Sequence, residues 1–381
     1  MPDGHGANVL PCDAVAVRVL VVNAGSSSLR LSVVEDGARV GRSELERWDG
    51  DGEVAAVEAL LDATGEVDAV GHRVVHGGSR RTGPAVVDAP LLDELAALTD
   101  LAPLHQPRAL TGIAALRALL PRVPAVACFD TAFHAGLPAE AATYALPAVW
   151  NARWRLRRYG FHGLSHAHAA GRAAALLDRP LADLRLVTCH LGAGASLCAV
   201  LGGRSVDTTM GFTPSEGLVM RTRSGSVDPG LLLWLLRSGG VGVDELADAL
   251  DRRSGLAGLS GTSGDLRDVR DAAAAGSADA QLAYDVFVHR LAREAAGMVV
   301  AAGGLDALVL TGGIGEHAAD VRRDLAARLA PLGVDVDPVR NDAAAGDADI
   351  SASGAPVRTL VVTSQEDLQV ATEVRALLAG A

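Results

Sequence analysis

Short runs of consecutive apolar residues, rich in Val, recur at positions 17–22, 125–129, 186–190, 307–311 and 357–363. Such runs, bounded by Gly and Asp, predict buried strands. Between them lie Ala/Leu/Arg stretches of helical period, among them 91–98 and 281–300. Strands and helices in alternation predict an α/β chain, with the glycines placed mainly where strands end.

Two segments are alike: VLVVNAGSSSLRLSVVEDG at 19–37 and LVTCHLGAGASLCAVLGG at 186–203. Each reads as a strand, a turn of Gly, Ala and Ser, and a second strand closing on Gly. This predicts a hairpin whose turn offers backbone N–H groups and hydroxyls to a phosphate. Its occurrence once early in each half predicts a duplicated domain with the ligand held between the copies. A third glycine-rich segment, LVLTGGIGEH at 308–317, reads as a strand, a turn and a helix beginning near Ala318, an arrangement that sets backbone N–H groups against an anion.

With 381 residues, 49% hydrophobic and 21% charged, the chain is long enough for two cores, and two domains are expected. A net charge of -12 without a basic run argues against nucleic acid or an anionic membrane as partner and favours small metabolites. The four cysteines form no C-x-x-C pair and no zinc-ligand spacing, which points to a reducing cytoplasm. Residues 1–16 lack the pattern of a secretory signal and read as a loose tail. The most apolar stretch, 295–310, is broken by Gly303, Gly304 and Asp306, so no membrane role is expected. All 34 basic residues are Arg. The absence of Lys excludes a P-loop, a lysine Schiff base and a protein-kinase site.

Eight further strings accompany VNAGSSSLR (22–30): GHRVVHGG (71–78), APLHQP (102–107), FDTAFH (129–134), RRYGFHG (157–163), HLGAGAS (190–196), DTTMGFTPSEGLVM (207–220), TRSG (222–225) and TGGIGEH (311–317). In this order they resemble the acetate and propionate kinase family of the actin, sugar kinase and Hsp70 superfamily, over nearly the whole chain from position 17. The resemblance implies two duplicated ribonuclease H-like α/β domains with a cleft between them, residues 17–134 plus 364–381 on the acyl and phosphate side and 135–363 on the nucleotide side. It implies reversible Mg-dependent phosphoryl transfer from ATP to acetate, giving acetyl phosphate and ADP by direct in-line attack, in a homodimer. A carboxylate is ionised at neutral pH, so its attack needs alignment and relief of anionic repulsion rather than a general base.

By the same resemblance Arg73, Asp130, His162 and Arg223 are catalytic, the two arginines clamping carboxylate and phosphoryl oxygens. Arg73, Val75, Leu104, Phe161 and Pro214 bind the acyl group. Asn23 and Glu366 serve the Mg2+, with Mn2+ as an alternative ion. His105 and His190 contact phosphate. The nucleotide set is Arg30, His190, Leu191, Gly192, Ala193, Gly194, Asp265, Leu266, Arg267, Gly313, Ile314, Gly315 and His317. His134, His166 and His168 read as structural histidines.

The chain departs from the family where it has Arg30 for Lys, Ala193 for Asn, Arg221 for Gly, Leu266 for Phe and His317 for Asn, nearly all on the nucleotide side. The expectation is an acyl kinase with an altered preference among ATP, GTP and pyrophosphate. Propionate or butyrate kinase activity is a second reading, because one methylene in an apolar pocket is worth only ~1 to 3 kcal/mol. A non-catalytic nucleotide-binding protein is a third.

Overall fold

The computed structural model describes residues 17–25, 28–46, 48, 52–102 and 105–380; the N-terminal tail read at 1–16 and the predicted acyl contact Leu104 lie outside the described residues. Two six-stranded mixed sheets organise the chain. The first contains β1 (Val19–Ala24), β2 (Ser28–Glu35), β3 (Ala38–Glu46), β4 (Ala69–Val74), β5 (Ala85–Val86) and β6 (Ala125–Phe129), in the order β3-β2-β1-β4-β6-β5. The second contains β7 (Arg185–Leu191), β8 (Ala195–Leu201), β9 (Arg204–Thr208), β10 (Ala307–Thr311), β11 (Ala348–Asp349) and β12 (Arg358–Val361), in the order β11-β12-β10-β7-β8-β9.

Read from the meander edge, the two orders are the same. An antiparallel three-stranded meander is followed by two parallel strands and a short antiparallel edge strand. The look-alike segments are the first hairpin of each meander, with Val19 opposite Val34 and Arg185 opposite Leu201. Each turn is closed by a backbone bond, Gly25 N–H to the Ser28 carbonyl at 2.8 Å and Gly192 N–H to the Gly194 carbonyl at 3.0 Å. The duplication read from sequence is therefore present in the topology.

Alternation sorts the second hairpin into two faces. Val187, Cys189, Leu191, Ala195, Leu197 and Ala199 join the main core with Leu291 and Ala295 of the helix Ala278–Ala301. Leu186, Cys198 and Val200 face the helix Gly163–Leu177 through its Ala169, Ala170 and Ala173. The same helix packs Leu164 into a cluster with Val19, Val21 and Val126 of the first sheet and Val370 and Val374 of the last helix, Glu366–Ala379. It thus bridges both sheets.

Two helix starts differ from the sequence reading. The long helix begins at Ala278 because the Ser277 hydroxyl accepts the Ala280 N–H. After β10, a six-residue helix, Gly312–His317, begins at once rather than near Ala318. Gly312 has φ 78°, and a Cβ there would lie 2.7 Å from the Leu191 carbonyl oxygen. Glycine alone lets the chain turn against the end of β7 so tightly.

Candidate active site

Parallel pairing sets Asn23 of β1 beside Arg73 of β4, and Arg73 beside Cys128 of β6, so Asp130 follows at the same end of the sheet. The Arg73 guanidinium grips Asp130 with two prongs, Nε to Oδ1 at 3.0 Å and Nη2 to Oδ2 at 2.6 Å. Its Nη1 donates to Asn23 Oδ1 at 3.0 Å and lies 3.5 Å from Glu366 Oε2. The Asn23 amide in turn donates to that Glu366 oxygen at 3.2 Å. Burial works against the Arg73 charge, but Asp130 and Glu366 outweigh it and raise its pKa above the ordinary value. Burial pushes the Asp130 carboxyl up, with the Arg73 fork pulling it back. Glu366 is held below the usual carboxylate range, since Arg73, His190 and Asn23 together exceed its burial.

Among the described residues no preformed cluster of three or more His, Cys, Asp or Glu could hold a metal. Asn23 Oδ1 and the Glu366 carboxylate are hard oxygen donors at one spot, and Glu366 Oε1 has no hydrogen bond among the described residues. That set suits Mg2+, which takes one or two protein oxygens and completes its shell with water and phosphate.

His162 opens the bridging helix in the left-handed conformation, φ 56°. Such a backbone costs a non-glycine residue roughly 1–3 kcal/mol and is found where a side chain must be aimed. The following Gly163 allows the aim: its N–H donates to the Asp130 carbonyl at 2.9 Å, and a Cβ there would stand 2.2 Å from that oxygen. On the other side, His134 Nε2 donates to the Phe161 carbonyl at 3.0 Å, which requires its Nδ1 to accept from the Ser205 hydroxyl, 2.8 Å away. The His162 ring stacks on His190 with centroids 4.3 Å apart. Burial, then His190, Arg73, His166 and Arg223, keep its pKa well below the ordinary value, so the ring is neutral at physiological pH.

Opposite His162 stands Arg223. A Cβ built on Gly194 would lie 3.4 Å from His162 Nε2 and 3.6 Å from Arg223 Nη1, so both atoms face the same small space. Arg223 donates weakly to the Pro214 carbonyl, at 3.4 Å, and makes no salt bridge among the described residues. Burial lowers its pKa, partly offset by Asp251. His105 is pushed down to about 4 by burial and by Arg223, Arg73 and Arg108. Val75 and Phe161 are buried in one core cluster with Ala102 and Tyr159, and of the predicted acyl contacts Pro214 is the one whose carbonyl meets Arg223.

A cavity of about 420 Å³ brings together Gly192, Ala193, Asp265, Leu266, Arg267, Gly313, Ile314 and His317. Arg30 is elsewhere. It pairs with Glu44 at 2.8 Å and lines a second cavity of about 390 Å³ with Asn23 and Glu366. Leu191 and Gly315 have their side-chain positions in the interior. His190, bonded to the Ser165 hydroxyl at 2.7 Å, stands between the two groups of residues. Arg267 is held by its own neighbour Asp265, through Nε at 3.0 Å and Nη2 at 2.9 Å, and that contact draws the Asp265 carboxyl down to about 2. Arg221 donates to the Ser263 carbonyl at 3.2 Å and lines the same cavity, whose aromatic wall is Phe287.

Phe287 has no role in the sequence reading, and His134 and His166 are read there only as structural histidines. Polar Thr188 and His190, spaced by two in an apolar strand, and His162, Ser165 and His166, spaced by three and four at a helix start, were the available signal.

A duplicated α/β fold with a cleft that gathers paired carboxylates, free arginine and a cavity of nucleotide size defines a phosphotransferase of the actin and sugar kinase type. The acetokinase family model matches residues 53–372. The chain is 52% identical to the acetate kinase of Synechococcus sp. (strain JA-2-3B'a(2-13)) over 87% of its own length and 81% of that protein's. It is 44% identical to that of Thermosynechococcus vestitus, over 93% and 97%. In structure it is similar to Porphyromonas gingivalis acetate kinase, with a TM-score of 0.88, 32% identity and coverage of 95% and 100%. A propionate kinase from Francisella tularensis gives 0.85, 34%, 94% and 98%. The chain belongs to the acetokinase family and is an enzyme of the acetate kinase type, a phosphotransferase with a carboxyl group as acceptor.

Proposed function

We propose that this enzyme transfers the γ-phosphoryl group of ATP to acetate by direct in-line attack, and runs the reverse reaction from acetyl phosphate and ADP. The observation that carries the reading is Arg223, a half-buried cation with no salt bridge among the described residues, which shares one small space with His162 Nε2 and touches the Pro214 carbonyl. An uncompensated guanidinium there suits a small carboxylate and a transferring phosphoryl group. Asp130 is taken up by Arg73 and is not free as a general base. A carboxylate acceptor requires none, whereas a hydroxyl acceptor would.

In this reading Arg73 holds Asp130, Asn23 and Glu366 in register, Arg223 and His162 neutralise the transferring phosphoryl oxygens, and His105 and His190 border them. Bound at Asn23 and Glu366, Mg2+ would offset the charge of the nucleotide phosphates. The nucleotide lies in the cavity walled by Phe287, with Ala193 and Arg221 deciding how well ATP competes with GTP or pyrophosphate. The lobes are 17–134 plus 364–381 and 135–363, and they close on substrate. The similarity to a propionate kinase supports propionate as a second acceptor.

A homodimer is supported by the helix Pro229–Arg237, whose Leu231, Leu233 and Trp234 are exposed; light scattering would report its mass. No described helix is long and apolar enough to cross a membrane. The cytoplasm is the location proposed for the enzyme. The test is hydroxamate-trapped acyl phosphate from acetate, propionate and butyrate with Mg-ATP, GTP or pyrophosphate as donor. Acetyl hydroxamate formed with ATP supports the reading. No product from any acid with any donor overturns it.

A further inference from the structure

Behind His162 runs an unbroken line of buried polar contacts that joins three elements. His162 Nδ1 lies 2.9 Å from the Ser196 hydroxyl, and that hydroxyl lies 2.8 Å from His166 Nε2. His166 Nδ1 lies 2.7 Å from the Thr188 hydroxyl, which is 3.4 Å from the Cys198 carbonyl. Ser196, His166 and Thr188 are all within 1% of full burial, on the sheet side that also holds the apolar Leu186, Cys198 and Val200.

Each neutral ring has one proton and one bare nitrogen, and each hydroxyl one proton, so only two arrangements give each of the three short contacts a proton and leave no hydroxyl proton unplaced, and both hold the same four protons. In the first, Thr188 donates to Cys198, His166 to Thr188, Ser196 to His166, and His162 Nδ1 to Ser196. His162 then shows a bare Nε2 to the cleft. In the second, Thr188 donates to His166 Nδ1, His166 Nε2 to Ser196, and Ser196 to His162 Nδ1. His162 Nε2 then carries its proton into the cleft, towards the space shared with Arg223. The second arrangement gives up only the 3.4 Å contact, the poorest in the line. An anionic oxygen in the cleft selects it, since a ligand shifts two near-equal states by its preference for one.

We propose that Ser196, His166 and Thr188 are positioning residues that fix the Nε2–H tautomer of His162, so that a neutral imidazole donates a hydrogen bond to the transferring phosphoryl group. The proposal rests on the role given to His162 above. It explains how a ring hemmed in by Arg73, Arg223 and His190 is a donor without adding a further cation beside the two arginines. It also gives a purpose to polar side chains in an interior where Ala or Val would pack more simply.

The experiment is a double-mutant cycle in steady-state kinetics with a spectroscopic reading. Ser196→Ala should lower kcat by roughly 10- to 100-fold, within the effect of one lost oxyanion donor, with KM for acetate little changed. In a His162→Ala background, Ser196→Ala should have no further effect on kcat. The conservative Thr188→Ser should retain activity. In 15N-histidine NMR with Mg-ADP and inorganic phosphate, His162 of the wild type should carry its proton on Nε2, and Ser196→Ala should lose that preference. If His162→Ala itself leaves kcat intact, the role of His162 fails and the proposal with it. If His162→Ala is impaired while Ser196→Ala is not, or if the Ser196→Ala loss persists in the His162→Ala background, the positioning line alone is overturned.

Discussion

Replacing Arg73 with Leu removes the partner of a carboxylate that is almost wholly inside the protein, since the Asp130 side chain is 1% exposed and that of Arg73 17%. A buried charge left alone escapes by taking up a proton, which sets the size of the effect. Protonating Asp130 costs about 1.4 kcal/mol for every pH unit above its ordinary pKa of about 3.9. The variant should therefore lose about 5 kcal/mol near pH 7.5 and only about 1.5 kcal/mol near pH 5, in line with the ~3–5 kcal/mol typical of a broken buried pair. In sign, the folded variant raises the Asp130 pKa, so stability is present below the unfolded value and is lost as pH rises through the folded one. Urea unfolding of both proteins at each pH gives the difference. The double variant Arg73→Leu/Asp130→Leu should recover most of the stability near pH 7.5 and none of the activity. A loss below about 1 kcal/mol near pH 7.5, or one that does not shrink on acidification, would refute the reasoning.

Arg223→Ala should behave in the opposite way. It breaks no salt bridge, so its free energy of unfolding in urea should stay within about 1 kcal/mol of wild type while kcat falls by about 10²- to 10³-fold; unaltered turnover in the hydroxamate assay would remove it from the mechanism. Gly312→Ala forces a left-handed backbone and a contact with the Leu191 carbonyl, at a cost of roughly 1–3 kcal/mol. Its KM for ATP should rise more than its KM for acetate, and equal rises would argue against a nucleotide role for this turn. His76 and His134 are pushed down to about 4, and His72 to about 3, by burial. Their lowered values contribute stability above the unfolded pKa of 6.5 that is lost as pH falls towards 4. Denaturation across that window should show wild-type stability falling, and a flat profile would mean these rings are solvated.

The hairpins and the duplicated topology were legible because strand length, apolar runs and Gly/Ser turns are local properties, and the chain states them twice. Helix starts were less so, because they depend on contacts that sequence does not carry: the Ser277 hydroxyl adds the first residues of the long helix, and the end of β7 fixes the turn at Gly312. The motif residues split by how they act. Asn23, Arg73 and Asp130 converge because parallel neighbours share one register, which strand reading anticipates, while Glu366 joins them from the start of the last helix. The nucleotide residues divide, with Arg30 on the other cavity beside Asn23 and Glu366. A string of matches gives no distances.

The site's electrostatics follow from a chain without lysine. Its cleft cations are guanidiniums, whose charge is permanent, so their number near the phosphoryl group has to be set by what surrounds them. Arg73 is matched by Asp130 and Glu366, leaving Arg223 as the charge open to an incoming anion. A third permanent cation there would bind substrate and transition state alike, which lowers KM without raising kcat. Neutral histidines avoid that outcome. His162, His190 and His105 border the space as rings that burial and the nearby arginines keep uncharged. The hydrogen-bonding direction of His162 and His190, set by Ser196 and Ser165 behind them, then matters more than their titration.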